Sequence, residues 1–285
     1  MKPKKIVSFG EIVWDVFGDK STLGGAPLNF AYYCIKNGCD ARIISAVGGD
    51  SLGRETLSEM RRLSIPADFV QVLAAYPTGR VNVSVDANGL ASYEICSPSA
   101  WDFIEASPQA CEFLRGADAF VFGSLAQRSE FSRAALRSLI ALLPESCLKV
   151  FDVNLRQNFY SGEVLEKSME LSNIVKLNDE ELAVISEIFG ISGGESDMAE
   201  SMFKLFNLDY LVLTLGSRGH LIVSKDGILE RGAEPAKLVD TVGAGDSFTA
   251  TFLSLILDSK SLREASDAAA KMAAKVCSQK GALID

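Results

Sequence analysis

From Ala119 onward, short apolar runs alternate with amphipathic stretches, and this alternation limits the chain to few architectures. Ala119 to Gly123, Leu148 to Val153, Asn173 to Leu177 and Tyr210 to Leu215 have the length and apolar character of buried strands. Between them, Ser129 to Leu143, closed by Pro144, and a segment opened by Asn178 and running to Phe189 read as helices. Repeated strand–helix–strand units need crossover connections, so the expected sheet is mostly parallel with helices on both faces. The chain opens in the same way. Ile6 to Phe9 reads as a strand, Pro27 to about Ile35 as a helix stopping near Asn37-Gly38, Arg42 to Val47 as a strand, and Ser51 to Leu63 as an amphipathic helix. It closes on two helices, Phe248 to Leu257 and Leu262 to Gln279. Ser261 and Glu264 make a capping box for the second, and Gly281 supplies a stop.

Two stretches break the alternation. His220 to Ser224 turns through Asp226-Gly227 into Ile228 to Arg231. Earlier, Arg80 to Val85 and Leu90 to Cys96 flank Asp86-Ala87-Asn88-Gly89, and Asn-Gly between alternating runs is the strongest short hairpin signal. With the segment near 11–20, where Gly10 to Phe17 is followed by a turn at Gly18-Asp19, the stretch near 76–103 reads as a small sheet off the main body. The whole is expected to be one domain of 285 residues.

Composition narrows the function classes. Nearly half the residues are apolar, enough for a large core, and the formal net charge is −9. A strongly acidic chain is a poor partner for duplex nucleic acid, although a local pocket can still hold a small anion. The six cysteines show no Cys-x-x-Cys spacing and His220 has no partner histidine, which argues against zinc and for reduced thiols in a cytoplasmic protein. The basic start, Met1-Lys2-Pro3-Lys4-Lys5, leads into an apolar run soon interrupted by Glu11 and Asp15, unlike a signal peptide. No run reaches membrane-spanning length.

Open α/β sheets bind ligands at the carboxyl ends of their strands, and the polar loops gather there. The densest is Asp240-Thr241-Val242-Gly243-Ala244-Gly245-Asp246-Ser247-Phe248, which leads directly into a helix. Glycines on either side of one alanine let the backbone bend and expose N–H groups. The helix start adds its positive dipole end, a combination suited to an oxyanion or phosphate. Asp246 sits there as a candidate general base, while a plain helix-capping role fits the same residues. A second stretch, Gly24-Gly25-Ala26-Pro27-Leu28-Asn29, brings backbone close to a ligand and supplies an amide that both donates and accepts. Asp15, among apolar neighbours, can accept two hydroxyl hydrogen bonds. No Gly-x₄-Gly-Lys-Ser/Thr loop occurs, and no Gly-x-Gly-x-x-Gly follows the first strand, so P-loop and nicotinamide enzymes are disfavoured.

Asp-Thr-Val-Gly-Ala-Gly-Asp-Ser-Phe resembles the C-terminal signature of the PfkB-type, ribokinase-like sugar kinases. Gly-Gly-Ala-Pro-x-Asn resembles their N-terminal sugar-binding signature, nearer the fructokinase branch than the ribokinase branch. The resemblance implies a three-layer αβα sandwich with a mostly parallel central sheet and a small β-sheet lid. It implies an anion hole at Gly243, Ala244 and Gly245 with Asp246 as base. It implies sugar contacts from Asp15, Gly24, Gly25 and Asn29. Arg80, Tyr93 and Phe103 are lid-side candidates, although Arg80 also reads as a surface ion-pair residue and Phe103 as core.

Asn178 and Glu181 match the family's Asn-x-x-Glu motif, which places Mg²⁺ and phosphate through water; helix capping is the alternative. Arg156 matches an arginine for the ATP phosphates, with Val153 where proline is common. Thr214, Gly216 and Gly219 resemble the nucleotide loop, or else an ordinary strand-to-hairpin turn. Asp240 and the Val242 carbonyl stand where many relatives bind K⁺. The implied activity is ATP-dependent phosphorylation of a sugar hydroxyl, with fructose expected. Ribose, 2-keto-3-deoxygluconate or a nucleoside are alternatives, as is a non-catalytic sugar-binding regulator. A homodimer through the lid is a further implication of the family.

Overall fold

The computed structural model describes residues 2–18, 20–85 and 91–284. The chain begins with strands β1 (Lys5–Phe9), β2 (Val13–Phe17) and β3 (Lys20–Gly24), then helix α1 (Ala26–Lys36). Next come β4 (Asp40–Gly48), α2 (Ser51–Arg62), β5 (Val70–Leu73), β6 (Gly79–Val85), β7 (Ala91–Ile95) and α3 (Pro108–Leu114). The middle of the chain supplies β8 (Ala119–Gly123), α4 (Glu130–Ile140), β9 (Leu148–Asp152), α5 (Gly162–Glu170), β10 (Ile174–Asn178), α6 (Asp179–Phe189) and α7 (Glu195–Leu205). The last elements are β11 (Tyr210–Thr214), β12 (His220–Ser224), β13 (Gly227–Arg231), α8 (Ala244–Leu257) and α9 (Leu262–Cys277).

Among the described residues, nine strands form one sheet in the order β13-β12-β11-β10-β9-β8-β1-β4-β5. Every pairing from β11 to β5 is parallel, and only the β11-β12-β13 edge is antiparallel. Alternation along the strands divides the core between the two faces. Val7 and Phe9 of β1, with Phe120 and Phe122 of β8, pack on one side with Leu136, Leu165, Ile185 and Met202 of α4 to α7. Ile6, Ala119 and Val121 point to the other side, against Leu28 of α1, Met60 of α2, Phe252 of α8 and Ala269 of α9. Cover on both faces explains why β8, β10 and β12 are buried almost throughout.

The second sheet has the order β3-β2-β6-β7. Its strands include those expected near 11–20 and 76–103. The anticipated turn residues Asp86 to Leu90, and Asp19, lie outside the described residues. Pairing sets Asp15 opposite Val81, Val81 opposite Ile95, and Val83 opposite Tyr93, so these side chains share one face. Arg80, Asn82 and Glu94 share the opposite face. No described helix is long and apolar enough to cross a membrane.

Several elements escape the sequence pattern. β3 is largely exposed and polar, stabilised by pairing with β2 rather than by burial. α3 is a single short helix capped by Ser107, while α5 and α7 begin at Ser161 and Gly194. α8 starts at Ala244, ahead of the expected Phe248, so the Gly-Ala-Gly-Asp segment is the first turn of the helix itself.

Candidate active site

The site forms where the amino ends of α1 and α8 meet at the carboxyl ends of the central strands. Gly243 caps α8 in the left-handed region, φ 80°. A methyl group there would lie 2.7–2.9 Å from Ala282 atoms, so the chain end leaves room only for glycine. That end is tied down at three points. Tyr33 Oη donates to the Ala282 carbonyl at 2.5 Å, Tyr32 Oη to the Ile284 carbonyl at 2.7 Å, and the Gly281 N–H to Asp240 Oδ2 at 3.0 Å. Asp240 Oδ1 accepts the Val242 N–H at 3.1 Å, so this carboxylate staples the approach to the helix start.

Asp246 is half-buried in the first turn of α8, and Asn29 Nδ2 donates to its Oδ2 at 2.8 Å. Burial pushes the Asp246 carboxyl up to about 6, and the nearby Asp152 charge adds to the rise. The Asn29 hydrogen bond, Lys176 and Arg156 oppose it. At neutral pH the group is therefore ionised but basic enough to take a proton. Asn29 is 4% exposed, and its Oδ1 is a buried acceptor without a partner. With the amide nitrogen committed to Asp246, that oxygen is left to accept from a hydroxyl-bearing ligand. Gly25, φ 113°, lets α1 start against the β1–β2 connection: a Cβ there would fall 2.5 Å from the Glu11 carbonyl. Asp15 Oδ2 lies 3.7 Å from the Cβ position of Gly24, and burial raises its pKa against the pull of Arg156.

Three charged residues join this site without having been singled out from sequence. Glu11 is buried beside the start of α1, and burial pushes its carboxyl to about 7; hydrogen bonding to backbone and Arg156 oppose the rise, while Asp246 adds to it. Lys176 of β10 and Asp152 of β9 face each other across the sheet, Nζ to Oδ1 3.0 Å, below Gly245. Burial works against the lysine's charge, but Asp152, Glu181 and Asp246 outweigh it and raise its pKa. The available signal was polarity in strands otherwise buried: a lysine inside Ile174–Asn178 and an aspartate ending Leu148–Asp152.

The remaining candidates separate. Arg156 is exposed on the loop after β9 and acts electrostatically on Glu11, Asp15 and Asp246, so it faces the same space. Tyr93 is exposed on the Asp15 face of the four-stranded sheet, and its carbonyl accepts from Gln157 Nε2 at 2.5 Å, which joins β7 to the Arg156 loop. Asn178 and Glu181 form a reciprocal capping box at the start of α6. Glu181 Oε2 accepts the Asn178 N–H at 2.9 Å and Oε1 the Leu155 N–H at 2.8 Å, so both oxygens hold backbone.

Thr214 Oγ1 donates to the Leu177 carbonyl at 3.3 Å, at the carboxyl ends of β10 and β11. Gly216 and Gly219 both have positive φ. A Cβ at Gly219 would strike the Arg231 carbonyl at 2.0 Å, so the loop packs backbone to backbone against the end of β13. Two further candidates have contacts away from this cluster. Arg80 lies on the sheet face opposite Asp15 and donates to Asn82 Oδ1 at 2.8 Å, because the β2–β6 register turns it outward. Phe103 is stacked on Tyr76, with centroids 3.7 Å apart, and packs beside Phe131, so its ring is spent on a neighbouring aromatic cluster.

Among the described residues, no three acidic, histidine or cysteine side chains converge as a metal cage.

A parallel sheet with a separate four-stranded sheet, and a glycine-capped helix whose first turn carries a poised carboxylate, together define a ribokinase-like small-molecule kinase. Comparisons agree. The model of the pfkB family carbohydrate kinases matches residues 2–285, and the chain belongs to that family. It is an ATP-dependent sugar kinase. It is 27% identical to a fructokinase of Solanum tuberosum, covering 91% of this chain and 83% of that protein. It is 28% identical to a fructokinase of Klebsiella pneumoniae, over 87% and 83%. An uncharacterized sugar kinase from Pyrococcus horikoshii, solved in complex with ATP, superposes with a TM-score of 0.83 at 26% identity, covering 98% and 94%. Fructokinase from Vibrio cholerae, solved with fructose, ADP and calcium, shares the fold at a TM-score of 0.82 and 22% identity.

Proposed function

We propose that the chain transfers the γ-phosphoryl group of ATP to a hydroxymethyl oxygen of fructose. The observation that carries this reading is the 2.8 Å contact between Asn29 and Asp246, which joins a polyol-binding segment to the base at an anion-binding helix start. The similarity to fructokinases supports the choice of sugar.

In this reading Asp15, Asn29 and the Gly24-Gly25 backbone hold the sugar hydroxyls. Asp246 accepts the proton of the attacking hydroxyl as the oxygen bonds to the γ-phosphorus and the bond to the ADP oxygen breaks. The amides at Gly243, Ala244 and Gly245 meet the charge on the transferring oxygens. Arg156 neutralises phosphate oxygens, and Thr214, Gly216 and Gly219 border the nucleotide. Mg²⁺ bound with ATP would supply further charge neutralisation, with Asn178 and Glu181 nearest through water. K⁺ would be held by Asp240 and the Val242 carbonyl. The four-stranded sheet acts as a lid that excludes water from the reacting phosphate.

The test is ADP release by the purified protein with ATP, Mg²⁺ and K⁺ across ketoses, pentoses, sugar acids and nucleosides. Fructose should give the highest kcat/KM. A pentose, sugar acid or nucleoside winning would reassign the substrate, and no turnover on any would end the kinase reading for this chain.

A further inference from the structure

Lys176 has no place in the sugar, anion-hole or nucleotide roles above, yet its position is unusual. It is 8% exposed, on a central strand, with Asp152 as its register partner on β9. Nζ lies 3.0 Å from Asp152 Oδ1. The other carboxylate oxygen is 3.2 Å from Thr249 Oγ1, which also lies 3.0 Å from the Gly245 carbonyl and can donate to one of them at a time. A methyl group added at Gly245 would sit 3.0 Å from Nζ. The ammonium therefore lies directly under the residue preceding Asp246.

An ion pair in this place is a weak device for stability, because desolvation of the two charges offsets their attraction. A pair of apolar side chains would fill the space between β9, β10 and α8 as well. Its value lies in the charge it sets. Asp152 from β9, Glu181 from α6 and Asp246 from α8 all act on Lys176. Asp246 also faces Glu11 from the β1–β2 connection, Tyr33 from α1, and Arg156 from the loop after β9. Without the lysine, the carboxylates would crowd the turn that accepts phosphate in the proposed reaction, with Arg156 as the remaining cation acting on Asp246 among the described residues.

We propose that Lys176, pinned beneath the first turn of α8 by Asp152, is the positioning charge that keeps Asp246 ionised as the base. The ammonium does not touch substrate; it acts through Asp246. The proposal rests on the kinase reading for its purpose but not for its test.

The test is a carboxyl-carbon NMR titration of the full chain labelled at aspartate, with the Asp246 signal assigned by its loss in Asp246→Asn. In the wild type that signal should titrate near 6. Lys176→Met should move it up by about one unit or more, as loss of a close opposite charge does. Asp152→Asn should move it down, and the double variant should lie between the two single variants. A purely structural lysine would lower the melting temperature and leave the titration where it was, which would overturn the proposal. So would a double variant shifted as far as Lys176→Met alone. If Lys176→Met does not fold, Lys176→Gln decides in the same titration, since an unmoved Asp246 there is equally fatal. Absence of turnover in the wild type would count against the kinase reading alone, because the titration needs no substrate.

Discussion

Asn29 Nδ2 and Asp246 Oδ2 meet at 2.8 Å, although 217 positions separate them in the chain. The contact couples the start of α1 to the start of α8 and, in the proposed reaction, couples sugar recognition to the base. Asn29→Ala removes a hydrogen bond to a charged group, worth about 2 kcal/mol, or roughly 30-fold in kcat/KM. The sugar KM should rise with the loss, because Oδ1 disappears as well. Steady-state kinetics on the best sugar of the panel would show it; unchanged constants would detach Asn29 from the site.

Asp246→Asn keeps the shape and loses the base. Turnover should fall by roughly 10²–10⁴-fold while sugar still binds by calorimetry. Stability should move the other way. The native carboxyl binds its proton more tightly than the unfolded one, about 6 against 3.8, so this group makes the native state less stable as pH rises through that window. The variant lacks the penalty. Its melting temperature should exceed the wild type's at pH 7 and above, and the gap should close as pH falls below about 4. A variant that melts lower at neutral pH would contradict the assigned environment.

The same carboxyl sets the acid limb of the rate profile. With Asp246 at about 6, kcat/KM should approach a tenfold fall per pH unit below that point. Asp246 adds to the rise at Glu11, whose own carboxyl is pushed by burial to about 7. Because the groups interact, the apparent values belong to the set. Glu11 is mostly protonated where Asp246 titrates, so Glu11→Gln should leave the acid limb close to its wild-type position. A marked shift would mean that Glu11 acts on catalysis by another route.

Much of this arrangement was legible in the sequence, and the rest failed for identifiable reasons. The two glycine-rich segments carry their geometry locally, since only glycine at 25 and 243 tolerates the positive φ and the close backbone. The parallel sheet followed from apolar runs that need cover on both faces. The face Arg80 occupies depends on register with β2, which no local pattern around residue 80 encodes. Phe103 was ambiguous until Tyr76 was found stacked on it. Lys176 and Asp152 each look like the polar end of a strand, and only their pairing across the sheet makes a charged couple beneath α8. β3 carries little apolar signal because its order comes from pairing with β2.

Gly243→Ala tests the tightness of the anion-binding turn. The new methyl would lie 2.7 Å from Ala282 Cβ and 2.8 Å from its Cα, at φ 80°. A non-glycine residue held in such a region costs about 1–3 kcal/mol before any clash is counted. Thermal melts should show the loss, and turnover should fall more than sugar affinity, because the displaced amides serve the phosphoryl group. Adding Ala282→Gly relieves the Cβ contact but not the one to Cα, so recovery should be partial. Full activity in Gly243→Ala would show that the turn has slack that its contacts do not suggest.

The four-stranded sheet joins the main sheet through a second buried ion pair, and this predicts an unequal response to two similar substitutions. Arg128, from the segment between β8 and α4, donates from Nε to Asp102 Oδ1 and from Nη2 to Asp102 Oδ2, each at 2.8 Å. Nη2 also donates to the Cys96 carbonyl at 2.9 Å, just past the end of β7. The guanidinium lies 3.9 Å from the Trp101 ring centroid and 4.7 Å from that of Phe159. Arg128→Lys retains the charge but loses the two-pronged geometry and the stacking, so it should behave as a disruptive change. Arg128→Met leaves Asp102 buried without its partner and should cost about 3–5 kcal/mol. Pairing it with Asp102→Asn, whose charge is then no longer stranded, should restore part of that loss. Denaturant melts of the three variants would measure the order. If Arg128→Lys proves as stable as the wild type, the fork and the aromatic stack contribute little, and the base of the four-stranded sheet is held by apolar packing around Trp101 instead.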